Sequence, residues 1–509
     1  MAIKVGGTEV VDNNRQLKNI ASVDATTVAA LGSAGVGGGG GSFDAVASGA
    51  ISNGDPVSLN SDGTVTITSG FAGDKATFLS ATTATEINVV YDSNSNKSLI
   101  IFRRSDTNQL KAVVATVSGT SLSFGSEATV TANTATNVRA AFDSNANKVV
   151  IVYRDNSDAR ANVKAIVGTI SGTSVSFGTR ADVTDNSAML PIIAFDSNSN
   201  KVVVGYRHNY DSSTGKARVG TISGTSISFG SEAVFQNTNT DPMDMTFDSN
   251  SNKIVIIYKH NADSDDGKAI VGTVSGTSVS FGTAVTWSTG NGDKSRCTFD
   301  SNSNKVVILF KDTNNSSYTS SVVGTVSGTS ISFGNTAVVK AVNYNVAEIV
   351  FDSNLNKIII AFADASDNGK GNMVAGTVSG TSVSFGSTIL FNPTTANLIA
   401  MDFDSSSNQV ILGWQDQDDS YRGKAVVGIP LGISNFFNWV GYASEAISNS
   451  ATGTINVLAG VNEGQSSLSI GQTYYFTDAA TLSTTAVSGR EVGKALSATK
   501  LLITQGSIT

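Results

Sequence analysis

Phe142-Asp143-Ser144-Asn145-Ala146-Asn147-Lys148, followed by Val167-Gly168-Thr169-Ile170-Ser171-Gly172-Thr173-Ser174-Val175-Ser176-Phe177-Gly178, decides the architecture because both phrases return throughout the chain. The turn aspartate recurs at Asp92, Asp143, Asp196, Asp248, Asp300, Asp352 and Asp404, in steps of 51, 53, 52, 52, 52 and 52 residues. The second phrase recurs around Gly119, Gly172, Gly224, Gly276, Gly328 and Gly380. So long and regular a period marks an array of supersecondary units.

The filling of the period is β-structure. Lys148-Val149-Val150-Ile151-Val152-Tyr153 and Ser174-Val175-Ser176-Phe177 are short, β-branched and bounded by turn residues. In the second copy, strand A ends at Ala141-Phe142, strand B covers 148–154, C covers 163–170 and D covers 173–182. Ser171-Gly172 makes the C-to-D hairpin, glycine supplying the positive φ of a two-residue turn. Four strands in each of seven copies predict an all-β fold: a seven-bladed β-propeller of four-stranded antiparallel blades.

A propeller must close. The seventh copy stops at Ile429-Pro430-Leu431-Gly432 without its strand D, and Thr64-Val65-Thr66-Ile67 precedes the first copy with a matching alternation. Residues 63–79 are therefore expected to supply the missing strand, with a six-residue insertion absorbed before Asp92.

Outside the array, Ala47-Ser48-Gly49-Ala50-Ile51-Ser52-Asn53 matches Ala443-Ser444-Glu445-Ala446-Ile447-Ser448-Asn449 at six of seven positions. Residues 43–61 and 431–509 are expected to form one small β-domain, its core supplied by Thr473-Tyr474-Tyr475-Phe476 and Lys500-Leu501-Leu502-Ile503-Thr504, with the propeller (62–430) inserted. Residues 1–36 read as an N-terminal anchoring arm and 37–42 as a glycine-rich linker.

Composition bounds the partners. A net charge of -8 and a pI near 4.9 argue against nucleic acid, which wants a basic stripe. No apolar run approaches the ~20 residues of a membrane-spanning helix, and the N-terminus has no signal-peptide core, so synthesis in a cytoplasm is expected. The single cysteine, Cys297, occupies an apolar strand A position and reads as a buried inert thiol.

Two chemical readings of the repeats fail on spacing. Asp-x-Asn-x-Asn opens like a calcium loop, but Arg154 and Arg103 stand where its bidentate glutamate belongs, and Lys148 stands where glycine should turn it. The residues suit Asx-type turns instead. The second phrase resembles the Asp-box of sialidases and related propellers, yet lacks the aspartate, so the likeness concerns fold only. A sialidase-like site needs three arginines from unique positions; among twelve arginines, Arg154 and Arg207 are repeat equivalents of Lys259 and Lys311. A non-enzyme is expected, with no cofactor and no metal, a glycosidase built on two loop carboxylates being the enzymatic alternative.

The A-to-B and C-to-D turns are nearly identical between copies, whereas the B-to-C and D-to-A connections all differ. These classes lie on opposite faces of a propeller, and loops on a rigid scaffold are where binding concentrates. The diversified side carries the candidate receptor-binding residues: His208, Tyr210, Asp211, His260, Asp263, Asp265, Asp266, Tyr318, Tyr344, Asp418, Asp419 and Tyr421. Their rings and amide or carboxylate groups suit sugars or polar protein surfaces. His208 and His260 share one repeat position; a metal pair is conceivable chemically, and a polar rim is the favoured reading.

The opening Met1-Ala2-Ile3-Lys4-Val5-Gly6-Gly7-Thr8 with Asn14-Arg15-Gln16-Leu17-Lys18-Asn19-Ile20, the repeats, and the ending with Gly471-Gln472-Thr473-Tyr474-Tyr475 and Gly493-Lys494-Ala495-Leu496-Ser497-Ala498-Thr499-Lys500-Leu501-Leu502 resemble tail-fibre and other virion structural proteins of marine, cyanophage-like bacteriophages. The resemblance implies a virion protein, assembled in the host cytoplasm, whose arm docks to other virion proteins and whose distal domain binds a host-surface glycan or protein. It also implies a homo-oligomer, a trimer. A head-decoration protein or structural fibre without a receptor is the alternative.

Overall fold

The computed structural model describes residues 3–5, 8–11, 42–47, 51, 56–59, 64–67, 75–119, 121–290, 292, 294–386, 388–428, 439–448, 450–457, 461–470, 472–476, 482–484 and 491–503. The described elements are all strands, and the chain divides into two compact units, Gly70–Gly432 and Met1–Ser69 with Ile433–Thr509.

Within Gly70–Gly432 one antiparallel pattern repeats. Its third copy runs Ala188–Asp196 (A), Lys201–His208 (B), Thr214–Ser223 (C), and Ser226–Phe229 with Ala233–Gln236 (D), each strand hydrogen-bonded to the one before it. The same order holds in every copy, the long strands Ala128–Asp143 and Ile389–Asp404 each serving as D of one copy and A of the next. The A strands touch in cyclic order, from Ala84–Asp92 round to Ile389–Asp404 and back to Ala84–Asp92. The array is therefore a closed ring.

Two local devices set this geometry. Each turn aspartate is at most 2 % exposed, and its Oδ1 accepts the backbone N–H groups two and three residues on; for Asp248 these are Asn250 and Ser251, both at 2.9 Å. The last turn residue, Asn96, Asn147, Asn200, Asn252, Asn304, Asn356 or Asn408, takes φ between 52° and 56°, a left-handed conformation that asparagine tolerates. The Asx-turn reading is thus what the structure contains. In the second phrase, the closing glycine serves packing: a Cβ on Gly230 would stand 1.9 Å from the Thr277 carbonyl oxygen of the next copy.

Apolar clusters form between copies. Val150 and Val152 of the second copy join Val202, Val204 and Tyr206 of the third, and Ile192, Val203 and Ala217 of the third join Met245, Ile256 and Tyr258 of the fourth. Both faces of each four-stranded sheet are buried on a neighbour, so no copy is complete alone. Cys297 belongs to such a cluster, 7 % exposed, and burial pushes its thiol pKa up.

Closure requires one correction. Ala76–Leu79 supplies the missing D strand, pairing Ala76 with Ala425, Thr77 with Lys424 and Leu79 with Gly423. Val65–Ile67 does not: it pairs with Pro56–Leu59 in the other compact unit, so the expected strand from 63 is wrong in its first half. The alternation of Thr64 to Ile67 fits any half-buried strand and fixes no register. Phe78 carries the register, filling the space over Gly423 as Phe391, Trp287 and Phe235 fill it over Gly371, Gly267 and Gly215.

In the second unit, strands from before and after the ring pair with each other: Ser42–Val46 with Thr452–Asn456, and Pro56–Leu59 with Trp439–Ala443. Ile51 and Ile447, the same position in the two matching segments, exchange both backbone hydrogen bonds at 2.8 and 2.7 Å. A further sheet runs in the order Val461–Asn462, Leu501–Ile503, Glu491–Ala495, Thr473–Phe476, Leu482–Ser483, and buries Tyr474, Leu501 and Ile503. Ile3–Val5 and Thr8–Val11 pair as a hairpin; the rest of the arm and most of the glycine-rich linker lie outside the described residues.

Candidate functional site on the diversified loops

The B-to-C loops share a scaffold beneath their differing sequences. A loop aspartate reaches a lysine at the start of strand C in several copies: Asp158 to Lys164 at 2.9 Å, Asp211 to Lys216 at 2.9 Å, Asp367 to Lys370 at 2.9 Å, Asp263 to Lys268 and Asp419 to Lys424 at 2.5 Å. The lysine hydrogen bond holds the carboxyls of Asp211, Asp263 and Asp419 below their ordinary pKa. With the aspartates 29–56 % exposed, such pairs contribute little stability. They fix where the loop stands.

The candidate residues therefore separate. Asp211, Asp263 and Asp419 are loop staples. Asp266 Oδ1 accepts the Gly290 N–H at 2.8 Å, and Asp265 lies 3.9 Å from Lys259. Tyr210 is 76 % exposed and Tyr421 43 %, so their rings are presented to solvent; Asp418 is exposed and Tyr318 half-buried. Tyr344 is a correction. It is 1 % exposed and its hydroxyl donates to the Lys294 carbonyl at 2.8 Å, so it is a core residue and leaves the surface set.

His208 and His260 end their B strands as equivalents but meet different neighbours. His260 Nε2 lies 2.6 Å from Thr238 Oγ1 and its Nδ1 3.6 Å from Asp263. At His208, burial and then Lys216 depress the imidazole pKa. Among the described residues no group of three or more His, Cys, Asp or Glu side chains is placed to hold a metal ion.

Polar clusters at the junctions between copies escaped sequence reading. At one, Arg180 reaches Asp155 and Thr131, both at 3.3 Å, while Asn133 donates to Asp155 at 2.8 Å. At its repeat equivalent, Lys75 donates to Asn392 at 2.8 Å and lies 5.9 Å over Trp414, while Thr394 donates to Asp416 at 3.0 Å. In the third copy the equivalent position is Glu232, which accepts Tyr206 at 2.6 Å and Lys216 at 2.7 Å within that copy. One repeat position thus carries a different donor and acceptor set in each of these copies. Aligning the copies and reading the residue before each outer strand would have exposed the substitution of Arg180 by Lys75 and Glu232.

No family model matches the chain, and no curated protein matches it. Among solved structures, the BP39L lectin from Burkholderia pseudomallei is similar over 71 % of this chain and 99 % of its own, with a TM-score of 0.53 at 10 % identity. AofleA from Arthrobotrys oligospora aligns over 65 % of this chain and 93 % of its own, with a TM-score of 0.39 at 9 % identity. At such identity the first likeness speaks to fold alone. The chain is all-β and propeller-like.

Proposed function

We propose that this chain is a bacteriophage fibre or spike protein, with residues 70–432 forming a seven-bladed β-propeller whose diversified face binds a host-surface glycan. The observation that carries the reading is the asymmetry between faces: one set of turns is held by the same aspartate bonds in every copy, while the other set changes residue by residue on a common framework of staples. Exposed Tyr210 and Tyr421 beside carboxylate and amide groups are the materials of sugar recognition, an apolar ring for the pyranose face and polar groups for its hydroxyls. That the similar BP39L is a lectin supports a carbohydrate over a protein receptor. The protein acts by binding and not by catalysis, is carried on the virion through its N-terminal arm, and assembles as a trimer.

Labelling intact particles with a specific antibody fragment and imaging them by electron microscopy tests the placement. Labels at the tail tip support host recognition; labels spread over the head sink the fibre assignment and make this a decoration protein.

A further inference from the structure

The B-to-C loops differ in sequence, yet the last loop residue before strand C takes one backbone conformation in every copy. These residues are Asn108, Ala161, Ser213, Asp265, Ser317, Gly369 and Tyr421, in steps of 53, 52, 52, 52, 52 and 52. Their φ angles lie between 46° and 72°. This is the left-handed region, which strains a residue bearing a Cβ and is open to glycine.

The conformation serves the joint between copies. The carbonyl of the left-handed residue accepts the N–H that lies eight residues before the next turn aspartate. Ala161 accepts from Ala188 at 3.4 Å, Ser213 from Thr240 at 3.1 Å, Asp265 from Gly292 at 2.8 Å, Gly369 from Ala396 at 2.9 Å, and Tyr421 from Ala84 at 3.1 Å across the ring closure. These bonds use backbone alone. Gly369 and Ala161 make them with no polar side chain, and Asn368-Gly369 is the pair that such a tight turn prefers.

Five copies nevertheless place a polar or aromatic group at the strained position. In the seventh copy it is a tyrosine 43 % exposed, and in the fourth an aspartate whose side chain is 59 % exposed and lies 3.9 Å from Lys259. Neither side chain is buried and neither takes part in the joint, so packing does not account for them. Strain kept where glycine would serve points to a side chain held for contact.

We propose that this left-handed position is where the ring discriminates between glycans: its exposed side chains, above all Tyr421 and Asp265, touch the sugar while the backbone beneath them holds the copies together. Tyr421 offers a ring to a pyranose face, and Asp265 offers acceptors to its hydroxyls. This role rests on the glycan reading given above and assigns the choice of ligand to one position repeated around the ring.

The test sets stability against binding, by thermal unfolding of the full chain and by its binding to immobilised host-surface polysaccharide. At an ordinary exposed site glycine is less stabilising than alanine because it loosens the unfolded chain, and at a left-handed site the order reverses. Tyr421→Gly and Asp265→Gly are therefore expected to melt above Tyr421→Ala and Asp265→Ala, by roughly 1 °C. All four variants are expected to bind about fivefold or more weakly than the unaltered chain. Ala161→Gly, which removes only a methyl, gains stability and keeps binding. No binding by the unaltered chain sinks the glycan reading and this role with it. Binding by the unaltered chain that persists in both glycine variants overturns this role alone and leaves the glycan reading standing. Alanine variants that melt above their glycine counterparts would show that the position carries no strain, and would overturn it as well.

Discussion

The two faces of the ring solve the same problem differently. On the uniform face a buried aspartate bonds the backbone of its own turn, so the information is local and repeats with the sequence. On the diversified face the connections are held by contacts that reach into strand C or the neighbouring copy, such as Asp211 to Lys216 and Asn133 to Asp155. The first arrangement keeps its aspartate in every copy because Oδ1 is taken by two adjacent backbone N–H groups. The second leaves loop tips unconstrained once the staple is made, which is how one scaffold can carry many surfaces.

The largest expected effect strikes the uniform face. Gly230→Ala drives a Cβ against the Thr277 carbonyl oxygen, which is backbone and cannot turn aside; overpacking of this kind costs about 3 kcal/mol. A lowered melting temperature together with weaker packing of the next copy, read by hydrogen exchange, is expected. Unchanged stability would show that the copies do not approach as closely as described.

Next comes Asp248→Ala, which leaves the N–H groups of Asn250 and Ser251 without their acceptor. A loss of about 2 kcal/mol in urea unfolding is expected. An equal loss for Asp211→Ala, whose carboxylate is exposed on the other face, would erase the contrast between faces.

The interior adds a pH dependence that neither set of turns carries. Burial raises the Asp402 carboxyl to about 6, against the Tyr91 and Phe403 N–H groups that pull it down. The folded state therefore holds this proton more tightly than the unfolded chain, whose aspartate titrates near 4. Stability from this group is gained as pH falls from about 7 to about 4, and lost as pH rises through about 6. Asp402→Asn should stabilise the protein at pH ~7.5 and change little at pH ~4.5. Equal shifts at both values would contradict the assignment.

The smallest effect on stability is expected at the loop tips. Tyr210→Ala, removing a ring that is 76 % exposed, should move the unfolding midpoint by no more than about 0.5 kcal/mol.

What was legible in the sequence follows the same division. The Asx turns and hairpins could be read because their bonds span two or three residues, and the repeats state them over again. The closing strand was misplaced at Thr64 to Ile67 because alternation carries no register, whereas Phe78 in its packed position over Gly423 does. Tyr344 looked like a surface ring; its repeat equivalents Ala84, Ala135, Ala188 and Ala396 are fully buried, and that internal comparison marks the position as core. The Arg296–Glu348 ion pair was invisible, since it joins two copies that meet only once the strands have packed.

Binding to immobilised host-surface polysaccharide separates the two faces when three chains are compared: the unaltered chain, Tyr210→Ala with Tyr421→Ala on the diversified face, and Ser249→Ala on the uniform face. Saturable binding is expected, falling at least tenfold in the double variant with its melting temperature unchanged, and persisting in Ser249→Ala. Equal retention in both variants, or equal loss in both, would contradict a binding function confined to the diversified face.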